Sequence, residues 1–211
     1  MAVLKKHWVQ VMAPSMFKHE HLGDSYVGET STLQGRGITV NLMNITGDMK
    51  KQNLNVSFRI TNIKEGKAYT RAVGLEMQPS SVKRLVRRGR TKIDASFLVQ
   101  LKHGQVCRIK PLVITKALTN NSTAASLRHK LQEVVQDALK DVAFETLVYD
   151  VVNQKLQRYV RTQLNSIYPI RSVDIRVAQL LPKHSVEEEH ELETSTYGGT
   201  EGNAEEDGER G

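Results

Sequence analysis

Six cations stand in the ten positions from Lys83 to Lys92: Lys83, Arg84, Arg87, Arg88, Arg90 and Lys92. No acid interrupts them before Asp94, and arginine outnumbers lysine four to two. Guanidinium groups are planar forks of donors that match phosphate oxygens two at a time. The chemistry open to such a cluster is the binding of a polyanion, with release of the counterions condensed on it. The plain alternative is a solvated helix face, although like charges one turn apart repel each other without a partner. Lys5 and Lys6 add a second basic pair close to Trp8.

The rest of the composition favours the polyanion. The 211 residues carry 30 bases and 23 acids, a net charge of +7. From Ser185 onward there are ten acids and one base, Arg210, so residues 1–184 hold 29 bases against 13 acids, a body of +16. Such a body selects nucleic acid first and an anionic membrane surface second. A membrane-surface helix needs a wide apolar face with bulky aromatics. The stretch 80–89 offers only Val82, Leu85 and Val86.

Other chemistry is thinly represented. His19-Glu20-His21 could lend two imidazoles to a metal ion, but no third or fourth ligand stands nearby, so a solvated loop without metal is expected. Gly35-Arg36-Gly37 stops short of a phosphate loop or a dinucleotide fingerprint and reads as a turn into a strand. Cys107, the only cysteine, lies in an apolar run and reads as a small core residue, which excludes an intramolecular disulfide. No nucleophile-elbow signature is present. Neither a cofactor nor a catalytic residue is expected. No run approaches eighteen apolar residues and no signal peptide opens the chain, so a soluble, cytoplasmic protein without a membrane partner is expected.

The elements that must hold these residues follow from periodicity. Ile38, Val40 and Leu42, then Leu54, Val56, Phe58 and Ile60, then Tyr69, Val73, Leu75 and Met77 alternate with polar neighbours as three strands, with Arg71 out of phase. "KEGK" at 64–67 is a hairpin turn. The basic cluster reads as a two-turn helix from a serine cap at Ser80 or Ser81 to Gly89. Ile93, Ala95, Phe97, Val99 and Leu101 resume the period of two, His103-Gly104 turns the chain, and Pro111 in the next strand indicates a sheet edge or a bulge.

From Ala124 to Leu164 apolar residues recur every three or four positions without glycine or proline. Two or three helices are expected, broken near Asp141 and Asn153. Val173, Ile175 and Val177 then alternate as a strand that returns to the sheet. The expected fold class is α+β: a barrel-like antiparallel β core with a short basic helix, a helical region and a returning C-terminal strand. Residues 1–22 are expected as an extended arm and 23–182 as the main domain, with the β core to about residue 118 and helices and final strand over 122–182. Residues 183–211, rich in Glu, Gly and Thr, are expected as a disordered acidic tail.

Two stretches carry a resemblance. "KKHWVQVMAPSMF", residues 5–17, resembles the opening signature of a small-ribosomal-subunit protein family shared by archaea and eukaryotes, designated "three-A-e". The matching residues are Lys5, Lys6, Trp8, Val11, Ala13, Pro14, Met16 and Phe17. "SIYPIRSVDIR", residues 166–176, resembles a second motif of that family through Ser166, Ile167, Tyr168, Pro169, Val173 and Arg176. Eukaryotic members usually begin with a longer lysine-rich extension, so the archaeal form is expected.

The resemblance implies a structural, non-enzymatic constituent of the small subunit. It implies a place on the platform near the mRNA exit, bound to small-subunit rRNA and neighbouring ribosomal proteins, with mRNA near the exit as a further partner. A free RNA-binding or RNA-processing protein with a basic cleft is the alternative. RNA contacts are expected at Lys5, Lys6, Lys83, Arg84, Arg87, Arg88, Arg90 and Lys92. Trp8 and Phe17 are anchors with two readings: onto the protein's own core, or onto a base or a protein neighbour.

Overall fold

Each alternating run of apolar residues becomes a strand of one sheet in the computed structural model, which describes residues 6–64 and 66–182. β1 (His7–Met12) and β2 (His21–Val27) pair as an antiparallel hairpin. β3 (Gly37–Asn41) runs into the short helix α1 (Leu42–Thr46). β4 (Leu54–Lys64) and β5 (Lys67–Met77) form the longest hairpin, turned by Gly66 at φ +72°, a left-handed value that glycine adopts without strain. α2 (Pro79–Leu85) separates them from β6 (Lys92–Asp94), β7 (Phe97–Gln100) and β8 (Val106–Thr115). Helices α3 (Asn121–Leu139), α4 (Phe144–Val152) and α5 (Lys155–Leu164) precede β9 (Ile170–Leu180).

β9 is the seam of the sheet. It runs antiparallel to β8 from Cys107 to Thr115 and to β5 over Gly74–Glu76, joining the two groups of strands. β1 lies parallel to β5 at the other end of that strand, Gln10 opposite Lys67. The fold is mixed α+β, but its sheet is open rather than the barrel-like core expected. The strand order is β2-β1-β5-β9-β8-β6, with β4 and then β3 beside β5 and β7 beside β8. Alternation tells that a strand has one buried face; whether the outermost strands meet is set by strand number, tilt and stagger.

Bulges reset the buried face. Ser57 pairs with Gly74 and Phe58 with Ala72, leaving Val73 as an extra residue in β5. Ala68, Thr70 and Ala72 therefore face inward before the bulge, and Leu75 and Met77 after it. Tyr69 and Val73 do not share the buried face expected of them, and Arg71 is no longer an exception. Pro111 likewise sits at a register shift in β8, a strand with neighbours on both sides, so the bulge and not the edge accounts for it. Leu42 is buried as expected but belongs to α1, whose first turn is capped by Asn41 Oδ1 accepting from the Met43 N–H at 3.0 Å.

The helices cover one face of the sheet. Leu127, Leu131 and Val135 of α3, Leu147, Val148 and Val151 of α4, and Val160 and Leu164 of α5 pack in one core with strand residues such as Phe58, Ile109 and Ile175. Burying each of these aliphatic side chains stabilises the fold by about 1.5–3 kcal/mol. The breaks fall where polar residues interrupt the stripe: Asp141 (φ +64°) between α3 and α4, and Gln154 (φ +58°) between α4 and α5. A smaller cluster of Val9, Val11, Val27, Leu33, Ile60 and Ala68 holds the β1–β2 hairpin. Of residues 1–22, the stretch from His7 onward therefore forms strands and a 3-10 turn joined to the sheet rather than an extended arm, because its apolar side chains have a core to enter. The acidic tail expected over 183–211 lies outside the described residues, as does Lys5.

Candidate nucleic-acid interface

α2 is shorter than its sequence suggests. It starts from Gln78 with Pro79 in its first turn, and Ser81 is buried, accepting a hydrogen bond from Arg84 Nη2 at 3.1 Å. It stops at Leu85, where Val86 turns extended (φ −82°, ψ 116°). Only Lys83 and Arg84 of the expected cluster lie on the helix; Arg87, Arg88 and Arg90 follow in the loop that turns at Gly89 into β6. A helix carried through Arg88 would stack Arg87 and Arg88 one turn from Lys83 and Arg84. Unwinding spreads these charges.

Lys83, Arg84, Arg87 and Arg88 are exposed and have no ion-pair partner among the described residues. Arg90 is half-buried, and its Nη1 is buried without a hydrogen-bond partner among the described residues. Desolvation, then repulsion from Arg171 and Arg87, lower its pKa from the ordinary arginine value. Arg171 lies at the start of β9, so two cationic segments more than eighty positions apart in sequence meet here. α5 adds Arg158 and Arg161, which line a groove of about 280 Å³ together with Leu85 of α2 and Asp174 of β9. The result is two arginine groups without ion-pair partners among the described residues, Arg87, Arg90 and Arg171 in one and Arg158 and Arg161 in the other, an arrangement that attracts phosphate.

Arg158, Arg161 and Arg171 escaped the sequence reading because the helical pattern absorbed the first two and the strand pattern the third. The i, i+3 spacing of Arg158 and Arg161, which puts both on one helix face, was the available signal. Lys92 stands apart from the other expected contacts: its ammonium pairs with Asp94 two positions on.

Near the N-terminus the two expected anchors part company. Phe17 is buried in the main core, its ring edge-on to Phe58. Trp8 is 68% exposed and leans on Tyr26 of β2 with ring centroids 4.9 Å apart, while Lys6 Nζ lies 5.9 Å from the Tyr26 ring. No hydrogen bond, ion pair or ring contact among the described residues joins this aromatic patch to the arginine cluster.

The two histidines of His19-Glu20-His21 have separate partners. His19 Nδ1 is 3.1 Å from the Ala13 carbonyl, and His21 Nε2 is 2.8 Å from Asp24 Oδ1. Among the described residues no three His, Cys, Asp or Glu side chains gather as a metal centre would need. Cys107 is buried inside β8. No helix among the described residues is long and apolar enough to cross a membrane.

Known proteins are similar to this one over about four-fifths of the chain. The protein is 31% identical over 172 residues to a "Small ribosomal subunit protein eS1" of Halorubrum lacusprofundi, covering 82% of this chain and 80% of that one. It is 30% identical to the eS1 of Staphylothermus marinus, with 83% of each chain covered. Against the eS1 of Methanothermobacter thermautotrophicus the identity is 27%, over 84% of this chain and 91% of the relative. The model of the Ribosomal S3Ae family matches residues 2–184, and the chain belongs to that family.

Proposed function

We propose that this protein is a structural constituent of the small ribosomal subunit, acting in translation in the cytoplasm and not as an enzyme. Family membership and relatives that carry the small-subunit name over four-fifths of the chain support this role. The single structural observation that carries the RNA-binding part is the set of arginines without ion-pair partners among the described residues on the α2–β6 loop, α5 and β9, with Arg90 facing repulsion from Arg171 and Arg87. Phosphates of small-subunit rRNA are the counterions such a surface lacks. The sheet and its helical layer hold the guanidinium groups in a fixed array, so little ordering is required on binding.

The finer reading is that the protein sits on the platform near the mRNA exit, beside other small-subunit proteins and within reach of mRNA. The exposed Trp8–Tyr26 pair supplies the stacking or docking surface for a base or a protein neighbour there.

The test is affinity for a small-subunit rRNA fragment as a function of salt. Replacing Arg84, Arg87 and Arg88 with glutamine should leave the fold intact, because all three side chains are exposed and the one hydrogen bond given up is that from Arg84 to Ser81. Each lost phosphate contact should reduce the slope of log K against log salt by about one. An unchanged slope in this variant and in Arg158→Gln/Arg161→Gln/Arg171→Gln would mean that these arginines are merely solvated. Co-sedimentation with salt-washed small subunits checks the assembly itself.

A further inference from the structure

The groove between α5 and β9 has two kinds of polar group at two depths. At the rim stand the exposed Arg158 and Arg161. Gln157, only 9% exposed, lines this groove and a smaller cavity of about 40 Å³ beside α4; its Nε2 donates to the Val151 carbonyl at 3.0 Å, while its Oε1 is buried with no hydrogen-bond partner among the described residues. Beside it is Asp174, half-buried, which accepts a hydrogen bond from Ser172 and has no cationic partner among the described residues. Desolvation holds its carboxyl above the usual aspartate range. An orphaned buried amide oxygen and a desolvated carboxylate both need donors.

The two layers restrict the ligand. A free cation would satisfy the floor but must pass the arginines. An inorganic anion would satisfy the arginines but present oxygen to oxygen at the floor. A nucleotide carries both complements, negative charge on its backbone and N–H donors at the far edge of some bases. Among the bases, guanine presents two adjacent donors, N1–H and the N2 amino group, where uracil has one N–H flanked by carbonyls. At about 280 Å³ the groove is slightly smaller than the sites that take drug-sized ligands, in keeping with a single base.

We propose that this groove takes one unstacked guanine nucleotide of RNA. The N1–H and N2 amino edge donates to the Asp174 carboxylate and Gln157 Oε1, and Arg158 and Arg161 hold the adjoining phosphate. Leu85 offers the flat of the base an apolar wall. Recognition of splayed single-stranded bases by their pairing edges is the usual route to sequence preference in RNA binding. The inference rests on the RNA-binding reading above and adds a specificity that a phosphate-binding surface does not have.

The test uses the full chain and labelled nine-nucleotide uridine oligomers in which the central residue is guanosine, inosine, adenosine, cytidine or uridine. Anisotropy titrations at one salt concentration should show the guanosine oligomer binding about tenfold tighter than the all-uridine one. Inosine, lacking the N2 amino group, should lose part of that gain. Asp174→Asn and Gln157→Leu should each flatten the preference while salt-dependent binding persists, with melting temperature as the check on folding. Equal affinity of all five oligomers, with normal salt dependence, would overturn the guanine site and leave the phosphate-binding reading standing. A guanosine preference that survives Asp174→Asn in folded protein would also overturn it. Absence of salt-dependent binding to any oligomer would sink both.

Discussion

The Phe17 ring meets the Phe58 ring edge-on, with centroids 5.7 Å apart and planes at 84°. This contact joins the turn after β1 to the middle of β4 and sinks the end of the N-terminal signature into the main core. Phe17→Ala should therefore destabilise the isolated protein by about 3–5 kcal/mol, as for other buried phenylalanines. Denaturant unfolding measures it. A loss below 1 kcal/mol would show that the turn detaches without cost.

Trp8 should behave oppositely. Its contact with Tyr26 is a cross-strand pair on the outer face, Trp8 opposite Tyr26 in the β1–β2 register. Such pairs contribute about 0.2–1 kcal/mol. Trp8→Ala should barely move the melting temperature yet lower incorporation into small subunits, read by quantitative mass spectrometry of reconstituted particles. Normal incorporation of the variant would deny the patch any partner.

Asp174 makes stability depend on pH with a defined sign. Burial raises its folded-state pKa above the ordinary 3.8, so the folded state holds the proton more tightly than the unfolded chain does. As pH rises from the unfolded value through the raised folded value, stability is lost, and the full penalty is present at neutral pH. Asp174→Asn should raise the melting temperature at pH 7, with the gain vanishing below about pH 4. A gain that is the same at both pH values would assign the effect to packing instead.

Cys107 should be chemically silent. Burial pushes its thiol pKa up to about 12, only partly offset by a hydrogen bond with the Gln179 backbone. Thiolate is the reactive species, so a thiol-exchange reagent at pH 8 should leave native protein unmodified and label one equivalent after unfolding in denaturant. Rapid stoichiometric labelling of native protein would mean that β8 opens locally.

The sequence by itself determined what each segment needed from its surroundings. The stripe from Leu127 to Leu164 called for two or three helices; there are three, and they break at Asp141 and Gln154, within a residue of the expected breaks near Asp141 and Asn153. The alternation in β4 and β9 required strands, and those strands exist. The signature motifs at residues 5–17 and 166–176 were sufficient for the family. These features are local, because side-chain periodicity reflects the geometry of the element that carries it.

Tertiary structure alone decided the rest. The bulge at Val73 reverses which side chains of β5 face inward, because register is set by the partner strand, and a one-residue slip exchanges the faces. α2 ends at Leu85 although its apolar spacing extends to Val86, because the chain must reach β6 and the charges gain by separating. The sheet stays open, since closure depends on tilt and stagger across all nine strands and on no single one. Arg90 meets Arg171 only when β9 returns beside β8, and Arg158 and Arg161 share a groove with Leu85 and Asp174 only when α5 packs upon β9. Periodicity records which face of an element is buried; it holds no record of which distant charges that burial brings together.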